Sequence, residues 1–178
     1  MQHLTEIRWH ARAGQGAKTA SQLLAMALLR SGRNAQAFPE YGPERRGAPL
    51  RAYTRGSDAP IRRNDAIEHP DLVVVLEPSL VLEAGVTEGL DPHSVVLLNA
   101  DAPPAELAGQ RVRCVPASQI AAKQGSSFAN VVMVGAVAAA LGEPSLGDVQ
   151  EAAVELLGKK LPPESVRDAV AEGYRCLS

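Results

Sequence analysis

The chain has 178 residues, 46% of them hydrophobic and 21% charged, which is enough apolar material for the core of one domain. Its net charge of -2 offers no basic field to a nucleic-acid backbone, so a nucleic-acid partner is not expected. The only cysteines, Cys114 and Cys176, lack the spacing that holds zinc or an iron–sulfur cluster and read as free thiols of a reducing compartment.

In chain order, "TEIRWH" (5–10) alternates, with Ile7 and Trp9 on one face and Glu6, Arg8 and His10 on the other, which predicts a strand. Leu23, Leu24, Ala27 and Leu28 recur at helical spacing, so a helix is expected over 18–29, ended by Ser31-Gly32. "NAQAF" (34–38) predicts a second strand closed by Pro39. Residues 39–49 hold three prolines and two glycines, a density that no regular element survives. "LRAYTRG" (50–56) alternates as a strand of a half-exposed sheet. The continuous Leu72–Leu76 run and "SVVLLNA" (94–100) predict strands covered on both faces. Between them, "PSLVLEAGV" (78–86) predicts a short helix.

"RVRCV" (111–115) reads as a further strand and "PASQIAAKQ" (116–124) as a short helix. Asn130–Leu141 predicts an apolar helix packed on the sheet. An amphipathic helix is expected over 145–160, capped by Ser145, and a last one over 163–176. The expected fold is α/β: a single domain over residues 1–178, with a mixed, mostly parallel sheet flanked by helices. It starts with a Rossmann-like strand–turn–helix, carries a hairpin-like insertion near 34–56, and ends in a helical third. That third either packs on the domain or projects to a partner. The N-terminus has no secretory leader and "VVMVGAVAAALG" is too short to cross a bilayer. A cytoplasmic location without a membrane partner is therefore expected.

Two segments stand out. The turn "ARAGQGAKT" (11–19) leaves a strand and enters a helix, which points unpaired N–H groups at any anion there. Gly14 and Gly16 permit close approach, Arg12 and Lys18 supply charge, and Gln15 and Thr19 supply hydrogen bonds. The glycine spacing matches neither the dinucleotide fingerprint nor the P-loop. The turn is thus either a site for a phosphate or pyrophosphate or simply a tight connection built from small residues. The second segment is the charged, proline-bounded loop 39–49. It is either a surface loop or a preorganised contact, with Tyr41 as an anchor and Glu44, Arg45 and Arg46 as polar partners.

"EIRWHARAGQGAKTASQLLAMAL", "QAFPEYGPERRGAPLRAYTR", "PIRRNDAIEHPDLVVVLEPSL" and "NVVMVGAVAAALG" together resemble the gamma subunit of 2-oxoacid:ferredoxin oxidoreductases, in the pyruvate and 2-oxoisovalerate branch. The block "FPEYGPERRGA" is the most specific part. The resemblance implies a subunit of a complex that oxidatively decarboxylates a 2-oxoacid to an acyl-CoA and passes electrons to ferredoxin. Thiamine diphosphate with its Mg is then held between alpha and beta subunits, and the iron–sulfur clusters lie mainly on a delta subunit. The gamma chain binds none of these alone and carries no catalytic residue. It packs on its companions and helps to form or close the cleft that takes coenzyme A.

On that basis Arg12, Gly14, Gln15, Gly16 and Thr19 are the expected cofactor-binding residues, facing coenzyme A, thiamine diphosphate or neither. Tyr41, Glu44, Arg45 and Arg46 are the expected interface. Two departures bear on this. The family pattern in the turn is Gly-Arg-Gly-Gly-Gln-Gly, whereas this chain has Ala11 and Ala13, so the two remaining glycines must shape the loop. No delta or alpha portion is fused to the chain, so these are expected as separate proteins. Alternatives are the same role in a phenylglyoxylate- or indolepyruvate-type complex delivering electrons to NAD through a flavin subunit, a free-standing nucleotide-binding module, or a purely structural subunit. His10, at the end of the first strand, and His69, in a connector, read as structural rather than catalytic.

Overall fold

The structure, a computed structural model, describes residues 4–40 and 47–178. Strand β1 (Leu4–Arg12) is followed by helix α1 (Ala17–Arg30), then by the hairpin of β2 (Asn34–Pro39) and β3 (Pro49–Ser57). Next come β4 (Leu72–Val75), the four-residue helix α2 (Leu80–Glu83) and β5 (Val95–Leu98). A 3-10 turn at Ala105–Leu107, which the sequence pattern does not announce, leads to β6 (Arg111–Cys114). Helices α3 (Ala117–Lys123), α4 (Ala129–Leu141), α5 (Leu146–Leu157) and α6 (Pro163–Arg175) complete the chain.

One six-stranded sheet has the order β2-β3-β1-β4-β5-β6. β1, β4, β5 and β6 run parallel, and β3 is antiparallel to both β1 and β2. The inserted hairpin therefore makes the sheet mixed, as the alternation at 34–56 predicts. Of the parallel strands, β4 and β5 are four-residue Val/Leu runs because helices and loops cover both faces and leave no solvent side to alternate toward.

The two faces differ in chemistry. Ile7, Trp9, Ala11, Ala52, Leu72, Val74 and Leu97 point toward α1 and α3–α6 and form the larger core with them. Val73, Val75, Val96 and Leu98 form a smaller core with Val86 and Leu107 under the loops of the opposite face. α4 is buried on every side from Asn130 to Ala138 because it is apolar all round; α3 and α6 pack on it, and α5 bridges α6 to α1. The helical third thus packs on the sheet layer. Ser145 caps α5 by accepting the Asp148 N–H at 3.2 Å, as expected from the sequence.

The half-exposed strand expected at 50–56 is a correction. β3 is buried from Ala52 to Ser57, including Arg55, whose side chain is fully enclosed. Arg55 is tolerated there because Nε donates to Glu6 Oε1 at 2.7 Å, Nη2 donates to the Asp65 carbonyl at 2.9 Å, and the guanidinium lies over the Phe38 ring. Alternation marked the two faces correctly, but it carries no information about loops that later fold over the polar one.

Candidate functional site at the end of the first strand

β1 ends at Arg12 and the chain turns at once into α1. The Gln15 N–H donates to the Arg12 carbonyl at 3.0 Å, and the Ala13 N–H donates to Ala48 O at 2.9 Å. Gly14 (φ +99°) and Gly16 (φ +80°) supply the left-handed conformations, while Ala11 and Ala13 take ordinary ones. Two glycines are therefore sufficient where the family pattern has four. A side chain on Gly16 would place its Cβ 2.5 Å from Nδ2 of Asn130, which itself donates to Gly16 O at 3.3 Å. The N-terminus of α4 thus buttresses the turn. The N-cap Gly16 has no side chain with which to cap α1, and the helix has no acidic residue in its first turn, so α1 itself brings no carboxylate to its N–H dipoles. Thr19 is half-buried in that first turn, and Lys18 is exposed beside it.

The side chains of the turn are already engaged. Arg12 Nη2 donates to both carboxylate oxygens of Glu83 at 3.1 and 3.0 Å and to Ser79 Oγ at 2.8 Å; Nη1 reaches Gly47 O at 3.3 Å. Gln15 accepts the Arg12 N–H at 2.8 Å and donates to Glu77 Oε2 at 2.9 Å. Burial pushes the Glu77 carboxyl up, but the bonds from Gln15 and from the Ser79 N–H and hydroxyl outweigh it and hold Glu77 below the ordinary carboxylate range. Beside these residues, at the carboxyl ends of the parallel strands, lies a cleft of about 270 Å³. Gln15, Glu77, Asn99, Asp101 and Ser118 line it, with Pro78 and Pro116 as apolar walls.

On the polar face of the sheet, β1 and β3 carry a second cluster. Arg8, only 2% exposed, donates through Nη2 to the carbonyls of Glu88 (2.6 Å) and Val86 (3.1 Å) and through Nη1 to that of Ile67 (3.4 Å). Its Nε donates to His10 Nε2 at 3.0 Å, which leaves the proton of the neutral His10 ring on Nδ1, a buried atom with no partner among the described residues. Burial first, then the Arg8 and Arg51 guanidinium groups, push His10 down to about 3. The structural reading of His10 follows, since a ring held neutral throughout the working range and locked to Arg8 is not a proton shuttle. Because unfolding restores its ordinary value, this group's stabilisation is complete above about pH 6.5 and is lost as the pH falls toward 3. Urea unfolding at pH 7 and pH 5 is expected to differ by less in His10→Gln than in the wild type, with a limiting difference of about 1.4 kcal/mol per pH unit.

Tyr41, Glu44, Arg45 and Arg46 lie outside the described residues. The ends of their loop are pinned beside the turn. Glu40 N–H donates to Arg51 O at 3.0 Å, Tyr53 Oη donates to Glu40 Oε2 at 2.6 Å, and Arg12 holds Gly47. Burial and the Glu40 bond push the Tyr53 hydroxyl up to about 12, so it stays a donor. His69, in its connector, faces Gly89 O at 3.2 Å and is exposed.

The fold as a whole recurs in known proteins. The family model of pyruvate ferredoxin/flavodoxin oxidoreductase matches residues 6–176. This chain belongs to that family. It is 40% identical to the pyruvate synthase subunit PorC of Thermotoga maritima over 95% of this chain and 92% of that one. It is 40% identical to the pyruvate/ketoisovalerate oxidoreductases common subunit gamma of Thermococcus kodakarensis, over 93% of this chain and 94% of the other. The crystal structure of the pyruvate oxidoreductase subunit PORC from Thermotoga maritima superposes with a TM-score of 0.77 at 36% identity, covering 97% of this chain and 93% of that one.

Within the pyruvate ferredoxin/flavodoxin oxidoreductase family this is a gamma-type oxidoreductase subunit. Four residues that shape its turn escape the motif reading: Glu77, Ser79, Glu83 and Asn130. Glu77 had a recognisable signal, because it stands two residues past the buried β4 at a strand's carboxyl end, where ligand sites of parallel sheets collect. Glu83 and Asn130 had none, since each reaches the turn only through the packing of its helix. Among the described residues, no helix is long and apolar enough to cross a membrane.

Proposed function

We propose that residues 1–178 act as one domain: the gamma subunit of a cytoplasmic complex that oxidatively decarboxylates a 2-oxoacid to an acyl-CoA, with electrons passed to ferredoxin. In this reading the chain packs on alpha, beta and delta companions and helps to form or close the cleft that receives coenzyme A. The names of its relatives support the complex, and the pyruvate or branched 2-oxoacid class is the favoured substrate.

Its own residues supply position and exclusion of water rather than reactive groups. An iron–sulfur cluster takes four thiolates and the chain has two cysteines, too few to hold one by itself. A phosphate fits the turn better. The observation that carries the reading is the glycine-capped start of α1, entered through the positive-φ residues Gly14 and Gly16 and with no acidic residue in its first turn, with Arg12 in the same turn. Either a coenzyme A phosphate or the diphosphate of the thiamine cofactor, which supplies the carbanion chemistry when bound, matches those donors. The loop 39–49, with Tyr41, Glu44, Arg45 and Arg46, is then the docking element, held against the same end of the sheet.

Arg12→Ala in the assembled complex is the test. A charge-assisted hydrogen bond to phosphate is worth about 1.5–3 kcal/mol, so the KM for coenzyme A should rise roughly tenfold or more. If KM and turnover both match the wild type, the turn is only a connection.

A further inference from the structure

We propose that Glu83 is an internal counter-anion of the turn: it occupies Arg12 until a phosphate-bearing ligand displaces it, and its departure frees α2. The inference rests on the reading of the turn as a phosphate site and adds what must leave that site first. Both carboxylate oxygens of Glu83 accept from the same Arg12 nitrogen, at 3.1 and 3.0 Å, and Ser79, from the same loop–helix segment, accepts from it as well. Arg12 Nη2 is therefore filled by groups of one short segment, while Nη1 reaches Gly47 O at 3.3 Å.

That segment is built to exchange. The Arg12 and Glu83 side chains are 28% and 51% exposed, so the pair is screened and weakly held. Glu83 is the last residue of a four-residue helix, which makes little internal structure to lose. Behind it, the strap 84–88 is fastened independently, by Arg51 to Ala84 O (2.8 Å) and Glu88 (3.0 Å) and by buried Arg8 to the Val86 and Glu88 carbonyls. Carbonyls that satisfy a buried guanidinium cannot be traded for a solvated anion without cost, whereas an exposed carboxylate can. The exchange is thus confined to α2, ahead of the strap.

The consequence is selectivity by charge. A monoanion has one charge to divide between Arg12, where it only matches Glu83, and the N–H groups of α1, while a di- or polyanion has charge enough for both. Phosphate esters and diphosphates are the class admitted; carboxylates and halides are not.

Calorimetric titration of the full chain with inorganic pyrophosphate tests this, using wild type, Glu83→Gln, Arg12→Ala and the double variant. Removing an exposed competitor should tighten binding about threefold to fivefold in Glu83→Gln. Arg12→Ala should weaken binding, and the double variant should match it, because Glu83 acts only through Arg12. In the wild type, pyrophosphate should accelerate amide exchange within 80–84. Equal affinity in Glu83→Gln and wild type, with Arg12→Ala weakened, overturns the inference and leaves the phosphate site standing. A gain that persists in the double variant, or that Glu88→Gln reproduces, overturns it as a mere field effect. Unchanged exchange over 80–84 at saturating pyrophosphate removes the release of α2. If Arg12→Ala binds like the wild type, or nothing binds at all, the phosphate reading itself fails.

Discussion

Gly173→Ala is expected to destabilise the fold by about 3 kcal/mol, at the upper end for overpacking, because the new methyl has nowhere to go. A Cβ at this position would lie 1.8 Å from Val132 O and 2.7 Å from its carbonyl carbon, which are backbone atoms of α4 that cannot rotate aside. The contact is reciprocal, since a Cβ on Gly135 of α4 would lie 2.1 Å from Val170 O of α6. The two helices therefore cross backbone to backbone, and either substitution must separate them. The effect extends to the site, because Asn130 at the start of α4 bonds Gly16 O and the displaced helix would carry that support away from the turn. Urea unfolding checks the magnitude. Gly147→Ala is the internal control: its Cβ would meet only Ser145 Oγ, at 3.8 Å, inside α5. That substitution should stabilise by roughly 0.5–1 kcal/mol, as alanine does in an unobstructed helix. Equal midpoints for Gly173→Ala and the wild type would disprove the close crossing.

Arg8→Met should cost about 3 kcal/mol or more, since each buried acceptor left without a donor forfeits about 1–3 kcal/mol. Methionine fills much of the volume but returns nothing to the Val86 and Glu88 carbonyls or to His10 Nε2, all of which accept from Arg8. The loss is local as well as global. The Glu88 and Leu90 amides, bonded to Gly85 O and Thr87 O, should exchange faster as the strap loosens from the sheet. Arg51→Met gives the contrast: Arg51 is 29% exposed and its partner Glu88 is 65% exposed, so removing it should cost about 1 kcal/mol or less. If the two substitutions cost the same, the buried guanidinium is not what fastens the strap.

Both predictions concern residues whose importance the linear pattern conceals. Gly173 reads as an unremarkable residue of an amphipathic helix, and Arg8 as the outward member of an alternating strand. The same pattern was nevertheless sufficient for most of the fold. The Val/Leu runs at 72–76 and 94–100 announced doubly covered strands, and the apolar stretch after Asn130 announced a buried helix; each element formed within a residue or two of its expected bounds. Hydrophobic period and turn residues act locally, so they are readable locally. α2 came out at four residues rather than the nine of its segment, because Gly85 bends the chain at φ +58° toward the carbonyls that Arg8 gathers.

At the site, the glycines of the turn were legible because their requirement is conformational: Gly14 and Gly16 take positive φ wherever the rest of the chain goes. Their surroundings were not. Arg12 was expected free for an anion, and the structure has it on Glu83, a residue 71 positions along the chain. Local sequence by itself determined the strand–turn–helix, the order of elements and the inserted hairpin, since these depend on neighbouring dihedrals and on spacing. Only the tertiary structure decided which face of the sheet was sealed, which arginines were buried, and which carboxylate stands in the turn. Those outcomes depend on groups brought together from distant segments, and a charge has no fixed partner until the chain has closed around it.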